Sequence, residues 1–159
     1  MNLIDYIQKG GVIVYILLIL NFLGYIIIIY KGLILIKKTK LEHQIGNKLK
    51  KNAYKNTDDA IDYEVSKLES GLNIIKNIAT ISPLLGLLGT VVGILESFES
   101  ISTHGLGNPA VFSAGVSVAL ITTVAGLIVA IPHYLFYNYY ISILNNLEIT
   151  LKNTLSNDL

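Results

Sequence analysis

Three long apolar stretches constrain the fold of this chain more than any other feature of its sequence. They are residues 11–30, 78–95 and 111–136, and each reaches or approaches the roughly 18–20 residues that cross about 30 Å of hydrocarbon as a helix. A chain of 159 residues cannot bury three helices that are apolar on all sides. The sequence therefore predicts an all-α integral membrane protein with three transmembrane helices.

The polar segments between these stretches complete the predicted layout. We expect an N-terminal interfacial segment at 1–10, transmembrane helices at 11–30, 76–98 and 111–137, a cytoplasmic helical loop at 31–75, a periplasmic loop at 99–110 and an amphipathic helix at 138–159. Apolar residues three and four apart predict one helix that leads into the second span and a second helix in the tail. The two apolar faces consist of Ile61, Val65, Leu68 and Leu72, and of Ile141, Leu144, Leu147, Leu151 and Leu155. We expect the two helices to pack together or against neighbouring copies.

The distribution of lysine predicts the orientation in the membrane. Ten of the twelve lysines lie within 31–76, whereas the 96–110 loop contains none and carries Glu96 and Glu99. By the positive-inside rule the 31–76 region is cytoplasmic, so the N-terminus is periplasmic and the C-terminus cytoplasmic. Lysines and no small-residue cleavage site follow the first span, which predicts that it is retained. Tyrosines at the inner end of the third span are expected to form an aromatic belt: Tyr134, Tyr137, Tyr139 and Tyr140.

Small residues form a stripe along one face of each of the last two spans. Spacings of three and four place each set on a single helical face: Ala79, Pro83, Gly86, Thr90, Gly93 and Ser97, and Ala119, Thr123, Gly126 and Ala130. Such faces allow close approach between helices in lipid. The pattern alone leaves two interpretations open, an oligomer contact and a pore wall to which Thr90 and Thr123 contribute hydroxyls. Pro83 and Pro132 are expected to bend or end their helices.

The sequence contains no pattern typical of an enzyme, a metal site or a cofactor site. It has no cysteine, so thiolate chemistry is excluded. His43, His104 and His133 lack the spacing of metal ligands, and we predict that each is a surface or interfacial residue. No partnered base accompanies Ser113 and Ser117, and no Lys-Ser or Lys-Thr follows the glycine patterns. Since all twelve basic residues are lysine, nucleic acid is not an expected partner.

Carboxylates are absent from the central turns of all three spans. Glu96 and Glu99 lie at the outer edge, and Lys76 lies at the opposite end of the second span. A path for protons or other cations normally needs an ionisable group at membrane depth. If protons cross the membrane here, a partner must therefore supply the carboxylate.

Two segments resemble the MotA/TolQ/ExbB proton-channel family. Residues 82–94 (SPLLGLLGTVVGI) are similar to the motif of its second span, and residues 119–132 (ALITTVAGLIVAIP) to that of its third; Gly10 and Gly11 before the first span also fit. The resemblance implies an inner-membrane subunit of a motor driven by the proton-motive force. In the family, five subunits form a pore that encloses the span of an ExbD- or TolR-like partner, and this partner carries an Asp. A TonB- or TolA-like protein then transmits work to the outer membrane.

By matching motif positions, the resemblance implies that Thr90 and Thr123 are the pore threonines. Many members carry Glu five residues before the second of these, and Val118 occupies that position here. Three spans and a short loop favour the ExbB and TolQ branches over the four-span MotA branch, and the compact length favours ExbB. Two other functions are kept open, a structural membrane scaffold without a proton role and a small-solute channel.

Overall fold

The computed structural model describes residues 3–51, 57–105 and 109–156, and these ranges are helical apart from short turns. The helices are α1 (Leu3–Lys9), α2 (Gly11–Leu35), α3 (Lys38–Lys51), α4 (Thr57–Glu69), α5 (Leu72–His104) and α6 (Pro109–Ser156). Of these, α2, α5 and α6 are long and apolar enough to cross a membrane. The predicted all-α fold with three membrane-crossing helices is thus confirmed for the described residues.

The helix boundaries differ in two places from a simple alternation of spans and loops. The helix predicted to lead into the second span ends at Glu69, and α5 begins at Leu72. Between them Gly71 has a φ of +90°, a conformation that glycine adopts without strain. By contrast, α6 passes through Pro132 without a break, and its 48 residues make a helix about 72 Å long at 1.5 Å per residue. The tail therefore continues the third span.

Helices α5 and α6 form an antiparallel hairpin in which the two backbones nearly touch. A Cβ atom built on Gly86 would lie 2.9 Å from the carbonyl oxygen of Thr122, and one on Gly126 would lie 2.6 Å from that of Ser82. Further along, a Cβ on Gly93 would lie 2.7 Å from the carbonyl oxygen of Gly115. Helices in lipid associate by this kind of close packing, because apolar side chains gain nothing there over lipid tails. We call this contact the seam.

Helix α2 packs along one side of the hairpin and runs parallel to α6. Near its start, a Cβ on Gly10 would lie 3.2 Å from Ile121. Near its other end, the Tyr140 hydroxyl donates a hydrogen bond to the Ile28 carbonyl oxygen at 2.9 Å. Between these points Leu17, Ile78 and Val129 form a buried cluster. All three apolar helices are therefore in mutual contact.

A second core lies at the end of the molecule marked by Lys31 and Lys37, which we call the lysine-rich end. There the apolar faces of α4 and α6 meet, and Ile61, Leu144 and Leu147 are fully buried. The two predicted amphipathic faces thus pack together within one chain; the side chain of Leu155 lies outside the described residues. The Lys31 ammonium also donates a hydrogen bond to the Leu68 carbonyl oxygen at 2.9 Å. This position is favourable for a cation, because the C-terminal turn of a helix, here α4, carries a partial negative charge.

One member of the predicted aromatic belt is buried in this core. The Tyr140 side chain is 5% exposed and packs between α2 and α6 instead of reaching the membrane surface, whereas Tyr134 and Tyr139 are exposed. The prediction for Tyr140 is wrong because its hydroxyl finds a buried acceptor on α2, a partner distant in sequence.

The close approach at the seam predicts that a single added methyl group destabilises the protein. Gly126→Ala places the new Cβ against backbone atoms of α5, which cannot move independently. We expect a loss of about 1–3 kcal/mol, the usual effect of overpacking. Gly46→Ala is the matched control, since it meets nothing within 4 Å and raises helix propensity in α3. Thermal unfolding in detergent measures the stability of both variants. Equal stability would contradict the close backbone contact at the seam.

The hydrogen bond between α6 and α2 provides a second stability test. Tyr140→Phe removes one hydroxyl and leaves the ring, so we expect a loss of about 1 kcal/mol. Tyr139→Phe removes the same group from an exposed neighbour and is expected to change little. Chemical unfolding in the same detergent gives the midpoint of each variant. Equal midpoints would show that the Tyr140 hydrogen bond does not stabilise the protein.

Candidate functional site

The two threonines predicted to line a pore lie at one edge of the seam. Both side chains are half-buried. Thr90 donates its hydroxyl to the Leu87 carbonyl oxygen of its own helix at 2.6 Å. The Thr123 hydroxyl points across the seam to the Gly86 carbonyl oxygen at 3.4 Å. The structure therefore brings two hydroxyls, one from each helix, to the same edge of the hairpin.

That edge lies away from α2. On α5, Leu85 packs against the α2 cluster, and five residues on, Thr90 is rotated by about 140° from it at 100° per residue. On α6, Ala125 packs against the same cluster, and Thr123 is rotated by about 160° from it. We call this side of the hairpin the open face; Pro83 and Lys76 also belong to it, at about 160° and 180° from Leu85.

The remaining residues of the two predicted stripes, apart from Pro83, are buried. They make or flank the seam within a single chain, so these small residues are not available for contacts with a second copy. The buried members are Ala79, Gly86, Gly93, Ser97, Ala119, Gly126 and Ala130, whereas Pro83 is half-buried at the edge. The stripes thus divide into a buried seam and an accessible edge, and a pore-lining role concerns the edge.

Three buried hydroxyls lie within the hairpin, and of these the predicted stripes include Ser97 but not Ser82 or Thr122. Thr122 has no exposed surface, donates to the Ala119 carbonyl oxygen at 2.8 Å and sits where a Cβ on Gly89 would be. Ser82 and Ser97 likewise donate to carbonyl oxygens one turn back in α5, at 2.6 and 2.9 Å. The signal was present, because Gly115, Ala119, Thr122 and Gly126 also recur at spacings of four, three and four. These hydroxyls are satisfied inside the seam.

His133 is buried between α2 and α6, contrary to the sequence prediction of a surface or interfacial position. Its side chain has no exposed surface. Nδ1 lies 2.7 Å from the Val129 carbonyl oxygen, which fits donation by an Nδ1–H, and Nε2 has no hydrogen-bond partner. Nε2 occupies the space that a Cβ on Gly24 would need, and the Tyr25 ring lies 5.2 Å away between centroids. A glycine on α2 therefore accommodates the imidazole.

The other polar residues considered from the sequence are not brought together into a reaction site. His43 is exposed on α3, and the side chain of His104 lies outside the described residues. Ser113 and Ser117 lie near the start of α6, whereas His43 lies on α3 and His133 lies 16 residues beyond Ser117 in α6. Within residues 3–51, 57–105 and 109–156, no three His, Asp or Glu side chains are close enough to hold a metal ion.

Comparison with known proteins identifies a family whose profile covers most of the chain. The profile of the MotA/TolQ/ExbB proton channel family matches residues 30–153. The chain is 36% identical over 106 residues to Biopolymer transport protein exbB1 of Vibrio cholerae, which is 66% of this chain and 44% of the relative. It is 43% identical over 75 residues to Biopolymer transport protein ExbB of Aquifex aeolicus, covering 47% and 51% of the two chains.

A relative from another branch is about equally similar. Tol-Pal system protein TolQ of Pseudomonas aeruginosa is 40% identical over 81 residues, which is 51% of this chain and 35% of the relative. The chain therefore spans about half, or less, of the length of the curated relatives it matches.

The contact between Gly24 and His133 predicts a non-additive pair of substitutions. Gly24→Ala alone drives a methyl group into the imidazole and is expected to destabilise the protein by about 1–3 kcal/mol. In a His133→Ala background the ring is absent, so the same change should be nearly neutral. Unfolding of the four proteins in detergent gives the coupling energy. Additive effects would contradict the contact, and Gly46→Ala in both backgrounds controls for the general effect of alanine.

Proposed function

Because this chain belongs to the MotA/TolQ/ExbB proton channel family, we propose that it is an ExbB-type subunit of a motor driven by the proton-motive force. It is a multi-pass protein of the inner membrane with three apolar helices. The observation that carries the proposal is the open face, where Thr90 and Thr123 lie together on the side of the hairpin opposite α2. A subunit with a lipid-facing side and a hydroxyl-bearing side is suited to a ring around a central pore.

In the proposed assembly, copies of the chain, five by analogy with the family, turn their open faces inward. Helix α2 then faces lipid, in agreement with its exposed apolar side chains Phe22, Ile26 and Ile29. The pore encloses the span of an ExbD-like protein that carries an Asp, and a TonB-like protein transmits the resulting motion to outer-membrane transport. The lysine-rich end is cytoplasmic, and the N-terminus is periplasmic.

The chemistry requires this partner. Residues 11–30, 78–95 and 111–136 contain no Asp or Glu, and Val118 replaces the glutamate that many family members carry. The imidazole of His133 lies within the third span, but it has no exposed surface and packs against α2, so a proton crossing the pore must be carried by a group from another chain. The Thr90 hydroxyl uses its proton within its own helix, so its oxygen can accept a hydrogen bond from a protonated carboxyl group. After the proton leaves, rotation of either hydroxyl allows donation to the carboxylate.

Three alternatives to an ExbB-type subunit make different predictions. A TolQ-type subunit has the same pore chemistry but serves outer-membrane integrity, so loss of the gene would cause detergent sensitivity with intact nutrient uptake. A structural scaffold has no proton role and predicts that the hydroxyls are dispensable. Gly86→Leu and Gly93→Leu do not separate scaffold from motor, because both substitutions open the seam within the chain. A small-solute channel predicts conductance from the purified chain alone.

Removing the two pore hydroxyls tests the proposal. The double variant Thr90→Val, Thr123→Val keeps the side-chain volume, and we expect at least about a tenfold loss of proton flux. A hydrogen bond to a charged group is worth about 1.5–3 kcal/mol, and about 1.4 kcal/mol corresponds to tenfold. The measurement is proton uptake by vesicles that hold the chain with its co-expressed Asp-bearing partner, together with receptor-dependent nutrient uptake by cells.

Thr150→Val is the matched control, because it removes a hydroxyl bonded at 2.7 Å to its own helix, in the tail of α6. It should leave flux unchanged. Native mass spectrometry verifies that the double variant still assembles. Full flux in an assembled double variant would refute the proposed role and favour the scaffold.

A further inference from the structure

Helices α2, α5 and α6 can be aligned in depth through one three-way contact. A Cβ built on Gly24 would lie 3.0 Å from Ile78 and would overlap the His133 ring, so these three residues lie at the same level. From this level toward the lysine-rich end, α2 continues as Tyr25 and four isoleucines to Tyr30. Lys31 follows seven residues, or about 10 Å, beyond Gly24. The level of Gly24 is thus well inside the apolar part of α2.

At the same depth α5 is polar. Lys76 and Thr80 are exposed and lie two residues to either side of Ile78, about 3 Å below and above its level. Asn73 and Asn77 are exposed as well, and on α6 Asn138 is exposed one turn beyond Tyr134. The apolar belt of α2 therefore extends further toward the lysine-rich end than that of α5.

If both helices face lipid, no position in a flat bilayer keeps the whole apolar belt of α2 in hydrocarbon and the polar end of α5 out of it. An ammonium or a polar side chain directed into hydrocarbon is costly, and such groups normally face protein or a water-filled cavity. Lys76 and Thr80 are rotated by about 180° and 140° from Leu85, which packs toward α2, so they point away from the lipid-facing helix. For Lys76 and Thr80 the mismatch disappears if this side of the hairpin faces water.

From this offset we infer that Lys76 and Thr80 line a water-filled, positively charged vestibule that opens at the lysine-rich end. It reaches to about the level of Thr80, roughly 13 Å beyond Lys31 into the apolar belt of α2. Beyond it the accessible side of α5 is apolar through Leu84, Leu87 and Val91. This inference rests on the proposed pore and adds to it the point at which a proton leaving the threonine level meets water.

Lys76 gives the vestibule its charge. Its ammonium lies 5.8 Å above the centre of the Tyr137 ring, which holds the cation beside the hairpin by a cation–π contact. Among the residues that the structure describes, no carboxylate forms an ion pair with Lys76, and each copy in a ring contributes one such charge. The potential therefore favours small anions over small cations inside the vestibule.

Cysteine accessibility tests the vestibule directly, because the chain has no cysteine of its own. Thr80→Cys is compared with Phe22→Cys, which lies at the same depth on the exposed side of α2. In vesicles that expose the lysine-rich end, a water-soluble methanethiosulfonate should label Thr80→Cys at least about tenfold faster, since the reactive thiolate does not form in hydrocarbon. Lys76→Cys and Ile26→Cys form a second matched pair at the next level.

Each outcome decides the inference. Equally slow labelling of Thr80→Cys and Phe22→Cys means that the α5 face is dry, and equally fast labelling means that both sites lie outside the bilayer; either result overturns the vestibule. The charge is tested with sulfonate-bearing and trimethylammonium-bearing reagents. We expect the anionic reagent to label Thr80→Cys faster, and adding Lys76→Gln should lower the anion-to-cation rate ratio. An unchanged ratio would overturn the charge assignment.

The labelling experiment needs neither the partner protein nor proton flux. A fast Thr80→Cys reaction together with full flux in the Thr90→Val, Thr123→Val variant would retain the vestibule and remove the proposed motor chemistry. Slow labelling together with loss of flux would do the reverse. The two inferences can therefore fail separately.

Discussion

The backbone contact between α5 and α6 is the interaction on which the rest of this structure depends. At Gly86, Gly93 and Gly126 the helices are so close that a single Cβ would meet a main-chain atom of the other helix. Lipid offers no hydrophobic drive for bringing helices together, so close van der Waals packing of this kind must hold the hairpin. The hydroxyls of Ser82 and Thr122 can be buried in this contact because each donates a hydrogen bond to a carbonyl oxygen of its own helix.

Formation of the seam gives the hairpin two different sides. Helix α2 packs against one side through Leu17. Two contacts one turn apart fix its position: Gly24 lies against the His133 ring, and the Ile28 carbonyl oxygen accepts a hydrogen bond from Tyr140. The other side retains Thr90 and Thr123 at its edge. The small residues therefore serve the fold of one chain, and the proposed pore depends on the groups that the seam leaves accessible.

The sequence predicts the three spans, the small-residue faces and the two amphipathic helices, because each of these depends on periodicity along one segment. It does not predict which side of a stripe is buried: Thr122 and Thr123 both fit a spacing of three and four, and only the partner helix separates them. The positions of His133 and Tyr140 depend on α2, more than 100 residues away. The break at Gly71 depends on a positive φ that periodicity does not reveal.

The offset between the apolar belts connects the fold of one chain to its assembly. In a lone chain, lipid would contact the α5 side chains of Lys76 and Thr80 at the depth where it also contacts Ile26 and Phe22 of α2. No single bilayer position suits both surfaces. Turning the open face inward resolves the conflict, because water then solvates the polar end of α5 while α2 remains in lipid. The geometry of the hairpin thus agrees with the proposed ring, in which a short apolar section between Thr80 and Thr90 would form the barrier that a proton crosses on the proposed partner.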